Sequence, residues 1–149
     1  MYKHVLVPID GSETARLGLN EAIELARHLS ADLRLIHVVN KIPWAPEVSA
    51  EMIDLFLDQQ RGNGESILHD ATTAARDAGI AVDSRLIEAL GTEAGEAIIK
   101  EALSWPADLI VCGTHGRRGV RRILMGSDAE YVLRHSHVPV LMIRNATVS

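Results

Sequence analysis

The sequence predicts an α/β fold: a single open, parallel five-stranded sheet with helices on both faces. Two observations predict it. Five short apolar runs rich in β-branched residues alternate with stretches of helical period along the chain. Aromatic residues make up 3% of a chain that is 47% apolar, so the core must be built from Val, Ile, Leu and Ala. That set suits parallel strands covered by helices. A length of 149 residues is read as one domain, 1–149, long enough to enclose a real core.

The first run, HVLVPI (4–9), leads into Asp10-Gly11-Ser12, a strand-to-helix turn with Ser12 as N-cap. The helix after it carries Ala15, Leu19, Ala22, Ala26 and Leu29 at steps of three and four. LRLIHVV (33–39) is the second strand. Segment 40–66 breaks the alternation, with Pro43, Trp44 and Pro46, then Met52, Ile53, Leu55, Phe56 and Leu57, then Gly62-Asn63-Gly64. It reads as a loop, a short mobile helix lying over the carboxyl edge of the sheet or against a partner, and a glycine break. A regular helix follows, with Ile67, Leu68, Ala71, Ala74, Ala75 and Ala78 on one face and Gly79 closing it.

IAVDSRLIE (80–88) is the third strand. Ala94, Ile98 and Ala102 mark a shorter helix that Trp105-Pro106 ends. DLIVCG (108–113) is the fourth strand. The fourth helix begins at Ser127 and turns Ala129, Val132, Leu133 and Ser136 inward; Ser127-Asp128-Ala129-Glu130 has the form of a capping box. HVPVLMIR (137–144) is the fifth strand, and Pro139, which cannot donate to a ladder, assigns it to an edge. A bare apolar edge is an aggregation hazard that pairing with a second copy would remove.

A net charge of −5 argues against general nucleic-acid binding. Yet Arg117, Arg118, Arg121 and Arg122 are four of the fifteen Lys and Arg residues, gathered within six positions. A local positive site on an acidic protein suits a small anion; plain solubility explains the arginines equally well. The single Cys112 excludes an intrachain disulfide and a cysteine-based zinc site, and is read as a buried thiol. The N-terminus MYKHVLVPIDGSE shows no signal segment, and no run of eighteen apolar residues occurs. A cytoplasmic location without membrane insertion is expected.

In an open parallel sheet, ligands bind beyond the carboxyl ends of the strands, where the strand order reverses. Asp10-Gly11-Ser12 follows the first strand, and Gly113-Thr114-His115-Gly116 follows the fourth. If those strands are neighbours, both loops border one crevice, where small residues let backbone N–H groups approach an anion. Gly126-Ser127 opens a helix whose N-terminus favours anions as well. Neither a P-loop nor a dinucleotide-binding glycine fingerprint is present.

The blocks V-P-I-D-G-S, G-T-H-G-R-x-G and V-P-V-L occur in that order. Gly113, Gly116 and Gly126-Ser127 fit the spacing G-x2-G-x9-G-[S/T]. Over its whole length the chain thus resembles the universal stress proteins, in particular the ATP-binding branch. The resemblance implies a Rossmann-like domain with sheet order 3-2-1-4-5 and a crevice between strands 1 and 4. It implies that Asp10 holds the ribose, that Pro8, Ile9 and Val38 border the adenine, and that Gly113, Thr114, His115 and Gly116 line the ribose and phosphates. Gly126 and Ser127 would cap the phosphate tail, with Arg117 or Arg118 adding charge. It also implies a homodimer formed through the fifth strand (Val138, Val140, Met142), acting as a stress-response sensor on a partner protein.

Position 128, uncharged in the family pattern, is Asp here. A carboxylate there competes with phosphate for the helix terminus, or helps hold Mg or Mn on phosphate oxygens. The alternatives are a slow ATP-hydrolysing or phosphotransfer enzyme and a nucleotide-free interaction module. No residue stands out as a general base beside a γ-phosphate, so a dedicated enzyme is not expected. His135-Ser136-His137 lacks a third metal ligand and reads as a helix-terminus histidine.

Overall fold

A computed structural model describes residues 1–40, 45–114 and 125–145. The elements in chain order are β1 (His4–Pro8), α1 (Glu13–Leu29), β2 (Asp32–Val39), α2 (Ala50–Asp77), β3 (Val82–Glu88), α3 (Ala94–Ser104), β4 (Leu109–Gly113), α4 (Ser127–His135) and β5 (Val140–Ile143). All the strand pairs are parallel, and the sheet order is β3-β2-β1-β4-β5. The expected fold and strand order therefore hold. β5 is an edge strand, and Pro139 sits just ahead of it, its carbonyl accepting from the Ile110 N–H at 3.0 Å.

Alternation along each strand builds two cores. Val5, Val7, Leu33, Leu35, Leu109 and Val111 meet α1 and α2 on one face. Leu6, Ile36, Ile110 and Cys112 meet α3 and α4 on the other. Burying both faces explains why the central strands read as continuous apolar runs. α1 starts as its sequence predicts, the Ser12 hydroxyl accepting from the Ala15 N–H at 3.1 Å. Gly79, at φ +79°, follows the C-cap of α2 in the left-handed conformation that favours glycine.

The expectation for 40–66 is corrected. Residues 50–77 form one uninterrupted helix that passes straight through Gly62-Asn63-Gly64. The reason is tertiary: a Cβ on Gly64 would lie 2.6 Å from Leu86 Cδ1 and 2.7 Å from His37 Cδ2. Glycine at 64 lets the helix backbone settle onto β2 and β3, and packing outweighs its low helix propensity. Trp44 lies outside the described residues. Of the apolar side chains at the start of this helix, Met52 and Leu55 are 54% and 70% exposed, while Leu57 is buried.

Three further points differ from the sequence reading. β5 is shorter than 137–144, and Leu133 is half exposed rather than inward. Ser136 is the C-cap of α4, while Ala129 and Val132 are buried as expected. α3 is tied to the sheet by a buried carboxylate. Glu101 accepts from Arg34 at 3.0 Å and from Arg85 at 2.9 Å, and the Arg34 guanidinium stands 4.9 Å over the Trp105 ring.

Candidate functional site

β1 and β4 are neighbours, and the helices next in the chain after each, α1 and α4, pack on opposite faces of the sheet. The crevice expected at that reversal is present as a cleft of about 550 Å³. Its floor is the carboxyl ends of β1, β2 and β4, with Pro8, Ile9, Val38 and Cys112 among the residues lining it. The ladder between β1 and β2 ends at Pro8 opposite Ile36, so Val38 projects beyond the last paired residue of β1. Ala94 and Ile98 of α3 form one wall, and Gln60 of α2 reaches another.

Asp10 lines the cleft from the β1–α1 turn, and one carboxylate oxygen accepts from the Ser12 N–H at 2.9 Å. The corner is held from behind by His37. Its Nδ1 is 2.7 Å from the Ile9 carbonyl oxygen, which can only accept, so Nδ1 carries the proton. The Ile9 N–H in turn donates to Ile36 at 2.7 Å.

Gly113 borders the cleft, but its lack of a side chain has another cause as well. A Cβ there would lie 2.5 Å from Thr14 Oγ1 and 2.9 Å from the Thr14 carbonyl carbon, so α1 crosses β4 in direct contact. Thr114 does not line the cleft: its N–H donates to Ile143 at 2.9 Å, and its carbonyl accepts from Gly126 at 2.6 Å. That bond ties the residue after β4 to the N-cap of α4. His115, Gly116, Arg117, Arg118, Arg121 and Arg122 lie outside the described residues.

The N-terminus of α4 faces the cleft through Gly126, Ser127 and Asp128. The capping box is not formed. Gly126 is the N-cap, in extended conformation and with no side-chain cap bond, and Ser127 is the first helical residue. The helix starts at Ser127 as expected, but the cap position belongs to Gly126, whose N–H donates to the Thr114 carbonyl. The Asp128 carboxylate accepts no bond from its own helix terminus among the described residues. Its Oδ1 accepts from the Gly95 N–H at 3.3 Å, so a residue of α4 caps the first turn of α3. Glu93, the N-cap residue of α3, makes no side-chain cap bond.

The two helices meet closely: a Cβ on Gly95 would stand 2.7 Å from Tyr131 Cβ. The Tyr131 ring stacks on His135, whose Nδ1 bonds the Tyr131 carbonyl at 3.0 Å. His135 is therefore a helix-terminus histidine, as read. Among the described residues no group of three or more His, Cys, Asp or Glu could hold a metal ion. Cys112 is buried with its Sγ 3.2 Å from Met142 Sδ, and burial pushes its thiol up to about 12.

A sequence profile of the universal stress protein family matches residues 1–144. The chain belongs to that family. A universal stress protein of Methanocaldococcus jannaschii is 34% identical over 147 residues, 97% of this chain and 83% of the relative. The crystal structure of a universal stress protein family member from Burkholderia pseudomallei has a TM-score of 0.79 at 34% identity, covering 95% of this chain and 96% of that one. Two more distant universal stress proteins share the fold and were solved with nucleotides. One, in complex with cAMP, has a TM-score of 0.71 at 23% identity over 96% of this chain and 97% of its own. The other, from Arabidopsis thaliana with AMP bound, has a TM-score of 0.70 at 18% identity over 97% and 93%.

Among the residues lining this universal stress protein cleft that sequence reasoning missed are His37, Gln60 and the α3 residue Ala94. Only His37 left a signal, as a polar residue inside the apolar run LRLIHVV. Val138, Val140 and Met142, expected at a dimer interface, pack against the α3–α4 core, whereas Leu141 on the same strand is exposed. No helix among the described residues is long and apolar enough to cross a membrane.

Proposed function

We propose that this universal stress protein binds an adenine nucleotide, ATP with Mg or Mn, in the cleft between β1 and β4, and signals by occupancy. One observation carries the reading: the β1 turn, the β2 overhang at Val38 and the first turn of α4 converge on a single cleft of about 550 Å³. That size is in the range of small-molecule sites. Pro8, Ile9 and Val38 would border the base. Asp10 would take the ribose. Gly113, His115, Gly116 and Arg117 would line the ribose and phosphates, and Gly126 with Ser127 would present first-turn N–H groups to the phosphate tail. Support comes from relatives of the same fold that were solved with cAMP and AMP.

Magnesium is bound through one or two carboxylates together with substrate phosphates and water. Asp10 and Asp128 are the carboxylates lining the cleft, and Asp10 alone, with phosphate oxygens and water, would suffice for such an ion. In this reading the protein acts as a switch and not as a dedicated enzyme. At a ligand concentration a hundredfold above Kd, binding stabilises the fold by about 2.7 kcal/mol. In this reading the cytoplasmic protein works as a homodimer through β5, and nucleotide changes the surface offered to a regulated protein.

The test is to incubate purified protein with Mg-ATP, desalt it, denature it and chromatograph what is released. Intact ATP at up to one per chain supports the switch. ADP or AMP above a mock-incubated control assigns hydrolysis instead. If equilibrium titration also finds no adenine nucleotide bound, the reading is wrong.

A further inference from the structure

Asp128 stands in the first turn of α4 and lines the cleft. One of its oxygens is held by the Gly95 N–H at 3.3 Å, and no other donor bonds the carboxylate among the described residues. Asp128 is exposed, and this tie to α3 gives its carboxylate a preferred position at the cleft beside the first turn of α4. Two further features define that position as the polar end of the cleft. Gly126, the N-cap of α4, has no side chain to occupy its terminal N–H groups, and Ser127 beside it also lines the cleft. A fixed negative charge at that point opposes each added negative charge on a ligand tail.

We infer that Asp128 is a specificity-determining residue that selects on the charge of the phosphate tail. The cleft favours a nucleoside monophosphate, or a polyphosphate neutralised by a divalent cation, over metal-free ATP. The inference rests on the nucleotide reading above and adds to it which charge state is admitted. A carboxylate in the first turn improves the helix dipole, so the residue is favourable to the empty protein and unfavourable to a highly charged ligand. The same group caps α3, which makes the restraint part of the fold.

The experiment is equilibrium titration of AMP, ADP and ATP, each in EDTA and in Mg²⁺, against the wild type and Asp128→Asn. Asparagine keeps an oxygen for the Gly95 N–H and removes the charge. The arginines of 117–122 are common to both proteins, so the ratio of affinities isolates position 128. The expected result in EDTA is a gain of tenfold or more for ATP, a smaller gain for ADP, and a change within threefold for AMP. In Mg²⁺ the ATP gain should shrink to a few-fold. Equal gains for the three nucleotides, or no gain for ATP, would overturn the inference. Weaker Mg-ATP binding in Asp128→Asn would overturn it too, because that result assigns Asp128 to the metal. Asp128→Ser serves as a second uncharged variant, and the two must agree. AMP binding by the wild type tests the nucleotide reading separately: if neither protein binds any nucleotide, that reading fails; if AMP binds and the ratios are flat, only the charge selection fails.

Discussion

The ring of His37 bridges two parts of the chain that no local pattern connects. Its Nδ1–H donates to the Ile9 carbonyl at 2.7 Å, while its Cδ2 edge lies where a Cβ on Gly64 would fall, at 2.7 Å. The corner that presents Asp10 to the cleft is thereby braced against α2. One imidazole thus joins α2 to the β1–α1 turn.

His37→Phe keeps most of the bulk and leaves the Ile9 carbonyl without its buried donor, at a cost of about 1–3 kcal/mol. His37→Asn, whose amide nitrogen takes the place of Nδ1, should recover part of that loss. Urea unfolding measures the stability. Hydrogen exchange at the Ser12 amide, which bonds Asp10, measures the corner itself and should be faster in the Phe variant only.

Gly62 and Gly64 should respond to alanine with opposite signs. A Cβ at Gly62 meets nothing within 4 Å, so Gly62→Ala in a continuous helix gains about 0.5–1 kcal/mol. Gly64→Ala presses on Leu86 and His37, and overpacking of this kind costs about 1–3 kcal/mol. Paired denaturant curves decide the matter. A gain at both positions would mean that the helix does not lie against β2 as described.

Glu101 is 6% exposed and is bonded by Arg34 and Arg85. Glu101→Gln leaves the Arg34 charge, itself largely buried, with only the exposed Asp83 as carboxylate partner. Breaking a buried pair costs ~3 kcal/mol or more, and the half-exposed Arg85 contributes the smaller part. Thermal unfolding should show the loss, with α3 affected first by hydrogen exchange.

Burial raises the Cys112 thiol from 9.0 to about 12, so the native state holds the neutral form. Its contribution to stability is complete below the unfolded value near 9. As pH rises above 9 the unfolded thiol ionises and the native one does not, so stability falls up to about 12, by at most ~1.4 kcal/mol per pH unit. The difference in slope between wild type and Cys112→Ala isolates this group. At pH 8 the native thiol should resist a disulfide reagent that labels it readily in denaturant.

The order of elements was legible because its signals are local. Period-3.6 spacing in α1 and α3, Ser12 as a cap, Gly79 at a helix end and β-branched runs in the strands depend on neighbours a few residues apart. The cleft at the end of β1 and β4 was legible for a related reason: glycine-rich turns follow those two strands. What failed did so where a distant contact set the outcome. Gly64 reads as a breaker until Leu86 and His37 are beneath it, and the cap position read at Ser127 belongs to Gly126, which is tied to Thr114.

Periodicity, turn chemistry and motif spacing are all written along the chain, and they sufficed for the parallel α/β class, the family and the place of the cleft. Tertiary structure alone decided what Asp128, Gly113 and His37 do. Their partners, Gly95, Thr14 and Ile9, are between 28 and 99 positions away, and a contact across that distance exists only once the sheet has brought its carboxyl ends together.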